Sequence, residues 1–318
     1  MNRFKNILLV LRETHNERGI ERAVHLAKKN SAQLTLLKPC GTLIRSLDVF
    51  SGMEPFSRLQ STLLSKDRDE LTKLRDSLAS SNVTAMIETP TGSPSISIIK
   101  IVLRDKHDLV ITTAQGSTAP MGTLLRSLSL HLIRKCPCPV WVVHPEKPRR
   151  VGHVLAAVDP TIPNNGNSTV NSLILDLSIS LSKMDDAKLH ILHAYYTLEL
   201  EGFENLLANH GTTSIPEEDH QACVEAAINK RKSSSNELLL QHPLSSVEHQ
   251  TYFLEGPPSK VIPEAAKEQE VDVIVLGAVT HTKHPGHCIG TTAENTIQQI
   301  GCSVLALKPP GFVSPVEL

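Results

Sequence analysis

The chain alternates short, apolar, often β-branched runs with longer segments in which apolar residues recur every third or fourth position. A run of about four to eight apolar residues bounded by turn residues is the signature of a buried strand, and the longer period marks one face of a helix. On this pattern strands are predicted at Asn6–Leu11, Gln33–Leu37, Val83–Glu88, Asp108–Thr112 and Pro139–Val143. Helices are predicted at Glu17–Lys29, Pro55–Ala79, from Pro94 onward, and at Leu124–Arg134. Gly92-Ser93-Pro94 opens the third of these, with Ser93 as N-cap and Pro94 in the first turn. Pro39–Glu54 has no clean period. Strands alternating with helices predict a parallel sheet covered on both faces.

After a proline- and charge-rich linker, His144–Arg150, the same order begins again. Strands are predicted at Val154–Val158, Leu189–Ala194, within Val247–Leu254, at Val271–Leu276 and at Val304–Leu307. Helices are predicted at Val170–Leu181, Val224–Leu240, from Gly256-Pro257-Pro258-Ser259 to Gln269, and at Ala293–Ile300. The segment HDLVITTAQGSTAPMGTLLRSLSLHLIRKCPCPVWVVHP of the first half aligns with VDVIVLGAVTHTKHPGHCIGTTAENTIQQIGCSVLALKP of the second. The period is near half the chain, so the expectation is an internal duplication: an α/β protein of two tandem doubly wound domains, residues 1–149 and 150–318.

Composition narrows the function. The 318 residues leave room for two ordinary domains. A formal net charge of −1 gives no electrostatic footprint for nucleic acid, and 3% aromatic residues leave little for stacking on single strands. The N-terminal apolar run, Ile7–Leu11, is too short for a signal segment or a membrane span, so a cytosolic protein with no membrane association is expected. That compartment would keep the six scattered cysteines reduced, including the Cys136-Pro137-Cys138 turn before the fifth strand.

The chemistry concentrates in Val273–Leu307. An apolar strand reaches Gly277, a loop rich in Gly, His and Thr follows, and Gly290-Thr291 opens a helix. Strand, glycine loop and helix start together form an anion site, because glycine lets backbone approach a phosphate and the free N–H groups of the helix start point at it. The spacing from Gly277 through Thr280 to Gly290-Thr291 resembles the glycine signature of the universal stress protein family, with Thr280 standing where that signature has a second glycine. RKCPCPVWVV at 134–143, VLGAV at 275–279, GTTAENTI at 290–297 and the tail KPPGFVSPVEL extend the resemblance over nearly the whole chain, in the family's tandem-domain form.

The resemblance implies a stress-response protein, and it implies roles residue by residue. Asp159, ending the first strand of the second half, would lie near an adenosine. Gly277, Thr280 and Gly290 would wrap phosphates and Thr291 would bond them, so ATP is the implied ligand of this half. In the first half the same places hold Arg12, Thr113, Gly116, Arg126 and Ser127, which implies a scaffold that no longer binds nucleotide. Family domains pair across their last strands, which implies an internal pseudo-dimer joining Val140–Val143 to Val304–Leu307, with room for further homo-oligomerisation.

His281, His284, His287 and Cys288 form the one metal-like cluster, but its spacing is not a zinc-finger pattern, and a loop of exposed histidines with no resident metal is the default. Thr197–His220 is a long insertion, read as a flap on its own domain or as a lid over a pocket. No P-loop, nucleophile elbow or catalytic triad spacing is present. Two readings compete with a nucleotide sensor: a binding protein for an apolar or lipid-type ligand, and a slow ATPase.

Overall fold

A computed structural model describes residues 3–12, 16–39, 54–114, 127–147, 150–160, 167–195, 217–278 and 290–318. The first half runs β1 (Asn6–Val10), α1 (Glu17–Asn30), β2 (Gln33–Leu37), α2 (Glu54–Ala79), β3 (Ala85–Glu88), α3 (Pro94–Asp105), β4 (Leu109–Thr113), α4 (Ser127–Lys135) and β5 (Val140–Val143). The second runs β6 (His153–Ala157), α5 (Asn167–Asp185), β7 (Lys188–Tyr195), α6 (Glu217–Leu240), β8 (His249–Glu255), α7 (Pro258–Glu268), β9 (Val273–Gly277), α8 (Thr291–Gln299) and β10 (Ser303–Leu307). The apolar runs became strands and the longer periodic segments became helices, most within a few residues of the expected ends. Ser93 does occupy the N-cap of α3, with Pro94 next, but its side chain makes no cap bond; its carbonyl takes the Ser97 amide instead.

Among the described residues the ten strands form one sheet in the order β3-β2-β1-β4-β5-β10-β9-β6-β7-β8. Within each half every pairing is parallel, as strand–helix–strand connections require. The halves meet where β5 runs antiparallel to β10, with Trp141 opposite Leu305 and Val142 opposite Val304. The two last strands therefore cover each other's edges, as the resemblance implied, and spare the protein two exposed apolar edges. Helices α1, α2, α5 and α6 share one face of the sheet, and α3, α4, α7 and α8 the other. Each face carries a core continuous across the joint.

The joint is also held by charge. Asp185, at the end of α5, accepts from the Arg22 guanidinium at 2.6 Å and from His25 Nε2 at 2.8 Å, both on α1. Arg22 and Asp185 are almost wholly buried. Burial holds the His25 pKa below its ordinary value despite the Asp185 carboxylate, so the imidazole donates as a neutral ring. On the other face Arg134 of α4 pairs with Glu294 of α8 at 2.6 Å. Lys308, just past β10, buries its ammonium against the carbonyl of Ile133 near the end of α4, and burial lowers its pKa to about 8. Cys136 and Cys138 lie buried nearby as free thiols, with sulfurs 3.6 Å apart.

Candidate functional site at the carboxyl ends of the second half

Ligands in open α/β sheets bind beyond the carboxyl ends of two neighbouring strands whose connections leave on opposite faces. In the second half those strands are β6 and β9, paired in parallel with Ala156 opposite Val275. From β6 the chain passes to α5, whose Val170, Ile174 and Leu175 pack on one face. From β9 it passes to α8, whose Ala293 and Ile297 pack on the other. A crevice results, and Asp159 and Gly277 follow the paired residues at the same end of these two strands.

Asp159 is exposed, and its backbone is fixed by one side chain. The Asn171 amide accepts from Asp159 N at 3.0 Å and donates to Asp159 O at 2.6 Å. Gly277 has a local packing reason to be glycine, since a Cβ there would sit 3.1 Å from Val170 Cγ1. Gly290 is the N-cap of α8 with φ −57°, a conformation open to any residue, and its amide donates to Ala278 O at 3.2 Å. The first helical bond of α8 runs from Glu294 N to Gly290 O, so the amides of Thr291, Thr292 and Ala293 precede the hydrogen-bonded ladder. Asp159, Gly277, Gly290 and the backbone of Thr291 thus belong to the strand ends and helix start that frame this crevice. Thr280 and the cluster His281, His284, His287 and Cys288 lie outside the described residues, as does most of the Thr197–His220 insertion. Among the described residues no group of His, Cys, Asp or Glu side chains is arranged to hold a metal ion.

The ends of β7 and β8 add an aromatic wall that composition concealed. His193, Tyr195 and Phe253 face the α5 and α6 side of the sheet, with His193 opposite Phe253 in register. Tyr195 and Phe253 stack at 4.4 Å between centroids, His193 tilts against Phe253 at 5.2 Å, and Lys232 of α6 lies 5.5 Å above the Phe253 ring. His193 is 2% exposed, and its Nδ1 has no hydrogen-bond partner among the described residues. Burial lowers its pKa, against an opposing pull from Asp159 and with help from Arg231. The ring is therefore neutral at pH 7 and within electrostatic reach of Asp159. The available signal was the alternation of His193 and Tyr195 on one strand beside Phe253 on the next.

The family profile described as "Universal stress protein family" matches residues 3–144 and again 151–308. The chain belongs to the universal stress protein family. Over 336 aligned residues it is 25% identical to universal stress protein E of Escherichia coli K12, covering 100% of this chain and 98% of that protein. Universal stress protein E of Photorhabdus laumondii is 23% identical over 327 residues, covering 100% and 99%. Among solved structures, a functionally unknown protein from Pseudomonas aeruginosa PAO1 superposes with TM-score 0.68 at 20% identity, covering 96% of this chain and 93% of the other. A universal stress protein from Archaeoglobus fulgidus superposes with TM-score 0.60 at 17% identity, covering 96% of each. These two likenesses concern the fold.

The first of the two universal stress domains has the same crevice between β1 and β4, but it is filled differently. Arg12 stands where Asp159 stands in the second, its backbone clamped by Asn16 at 2.8 and 2.6 Å, and its guanidinium reaches across to Ser129 Oγ of α4 at 3.4 Å. Thr113 stands where Gly277 stands, and its hydroxyl lies where a Cβ on Gly19 of α1 would have to go. Val170 thus packs over Gly277 in one half, and Thr113 packs under Gly19 in the other. Gly116 and Arg126 lie outside the described residues. Among the described residues no helix is long and apolar enough to cross a membrane.

Proposed function

We propose that this universal stress protein is a cytosolic stress-response protein whose second domain senses a small ligand and whose first domain is a scaffold. The ligand site is the crevice between β6 and β9. The observation that carries the reading is the pair of side chains at equivalent strand ends: an exposed Asp159 in the second domain, and in the first an Arg12 that spans the crevice to Ser129. An adenine nucleotide such as ATP fits the chemistry of the second crevice. Its phosphates would meet the amides at the start of α8, where Gly290 removes the side chain that would block their approach. Its sugar hydroxyls would meet the Asp159 carboxylate, with the buried His193 behind it and the Tyr195–Phe253 stack at the neighbouring strand ends. Gly290→Val should abolish binding by restoring a branched side chain at the helix start.

The same aromatic wall favours one second reading, a ligand that is apolar or mixed rather than a nucleotide. Native mass spectrometry of the gently purified full chain separates the two. A co-purifying adenine nucleotide supports the first reading, an apolar molecule the second, and an empty protein that also fails to take up added ATP counts against the first.

A further inference from the structure

A second site is independent of that crevice and lies at the joint between the halves. A partly open pocket of about 20 Å³ is bounded there by α1, by β5 and the segment after it, by Asp272 just before β9 and by Ser303 at the start of β10. A water molecule needs on the order of 10–15 Å³ of such space, so one guest of that size fits and an organic ligand does not.

The wall dictates what the guest must be. Arg18, Arg22 and Lys147 bring three cations, of which Arg22 is already paired with the buried Asp185, and Asp272 is the only carboxylate among the described residues that line it. That carboxylate is largely engaged elsewhere: Oδ2 accepts from the amides of Gly152 at 2.7 Å and His153 at 3.1 Å, while Oδ1 lies 3.8 Å from the Lys147 ammonium. The other side-chain acceptors in the wall are also in use, since Ser303 Oγ accepts from His144 N at 3.0 Å and His144 Nδ1 from Glu146 N at 3.3 Å. Donors are in surplus. Arg18 gives one N–H to Glu21 at 2.8 Å and has others to offer. Trp141, 1% exposed and part of the wall, buries an indole Nε1 that finds no acceptor among the described residues. A water would accept from these donors but must also place two protons of its own. A monatomic anion only accepts.

We propose that this cavity is a halide site, occupied by chloride, in which the Trp141 indole N–H and the Arg18 and Lys147 cations of the first half hold an ion against the start of β9 and β10 in the second. The ion would complete the joint, so that the packing of the two domains depends on the anion present.

Trp141 is the only tryptophan in the chain, so its emission reports on the cavity alone. The test exchanges sodium gluconate for sodium chloride at constant ionic strength and follows that emission in the full-length protein. A saturating change, accompanied by a higher melting temperature in chloride, is expected. Arg18→Gln with Lys147→Gln should weaken the response at least tenfold. Both side chains are partly exposed, at 39% and 28%, so the double variant keeps the fold. Arg104→Gln, on the far surface, should change nothing. No chloride-specific change would mean that the cavity holds water only and would overturn the proposal. So would a strictly linear, collisional response, or a saturating one that the double variant leaves intact.

Discussion

At the amino ends of their strands the two halves are nearly interchangeable. Asp108, just before β4, accepts from the amides of Lys5 and Asn6 at the start of β1, at 2.6 and 3.1 Å. Asp272, just before β9, accepts from the amides of Gly152 and His153 at the start of β6, at 2.7 and 3.1 Å. At the carboxyl ends the Asn16 and Asn171 clamps are also kept, but what they hold has changed from Asp159 to Arg12. The two halves share the residues that hold backbone in place and differ in those at the strand ends, where Arg12 reaches across to Ser129 and Thr113 packs against Gly19.

The comparison can be broken first at the joint that makes the halves one sheet. Asp185→Ala leaves the buried Arg22 without its carboxylate and should cost roughly 3–5 kcal/mol in urea unfolding. Glu294→Ala removes the half-exposed partner of Arg134 and should cost under about 1 kcal/mol. Equal losses would show that the joint does not depend on the buried pair.

A second difference is in titration. His190 of β7 sits between His153 at 3.0 Å and the Tyr252 hydroxyl at 3.1 Å, where the register places Thr35 in the first half. Burial, then the neighbouring His153 and Lys188, lower its pKa to about 4. The native ring stays neutral while the unfolded one, near pH 6.5, takes a proton. Stability should therefore be full above pH 6.5, fall as pH drops from there to about 4, and level off below. The contribution of this residue is at most roughly 3 kcal/mol. His25, His107 and His193 shift in the same direction, so they add to the fall. Measuring unfolding free energy from pH 7 to pH 4 in the wild type and in His190→Gln isolates its share; identical slopes would refute the assignment.

The retained carboxylates sharpen the comparison in the opposite sense. Asp108→Asn and Asp272→Asn each weaken a charged acceptor of two backbone amides, and each should cost about 1–3 kcal/mol, to a similar degree in both halves. The smallest effects are expected where the halves differ most. Asp159→Ala should change stability by about 0.5 kcal/mol or less, because the residue is exposed on a strand-end loop, and Arg12→Ala by about 1 kcal/mol, through its bond to the buried Ser129. Only Asp159→Ala should change ligand binding, by abolishing it. A large stability loss in Asp159→Ala would make it a structural residue.

Much of this was legible in the sequence because it is carried by period and repetition. The apolar runs at Asn6–Val10 and Val273–Gly277, the helical spacing of α1 and α5, and the restart of the order after the linker all rest on burial, which composition reports directly. The pairing of β5 with β10 was implied by the resemblance, and both strands are apolar edges that need a cover. What was not legible depends on residues distant in sequence. Nothing near Arg22 announces Asp185, 163 residues away, as its partner. Three percent aromatic residues gave no hint of a ring cluster, and Tyr195 and Phe253 meet because β7 and β8 are neighbours in register. Gly277 read as a phosphate glycine, and a Cβ there would also crowd Val170 of the helix, at 3.1 Å from its Cγ1.

The central claim is that one domain of this pair binds ligand and the other does not. Isothermal titration of ATP into the full-length chain tests it most directly. The expected result is a single site per chain that disappears in Asp159→Ala and persists unchanged in Ser127→Ala and Arg12→Ala. Two sites per chain, or one site indifferent to Asp159 and lost with Arg12 or Ser127, would contradict it.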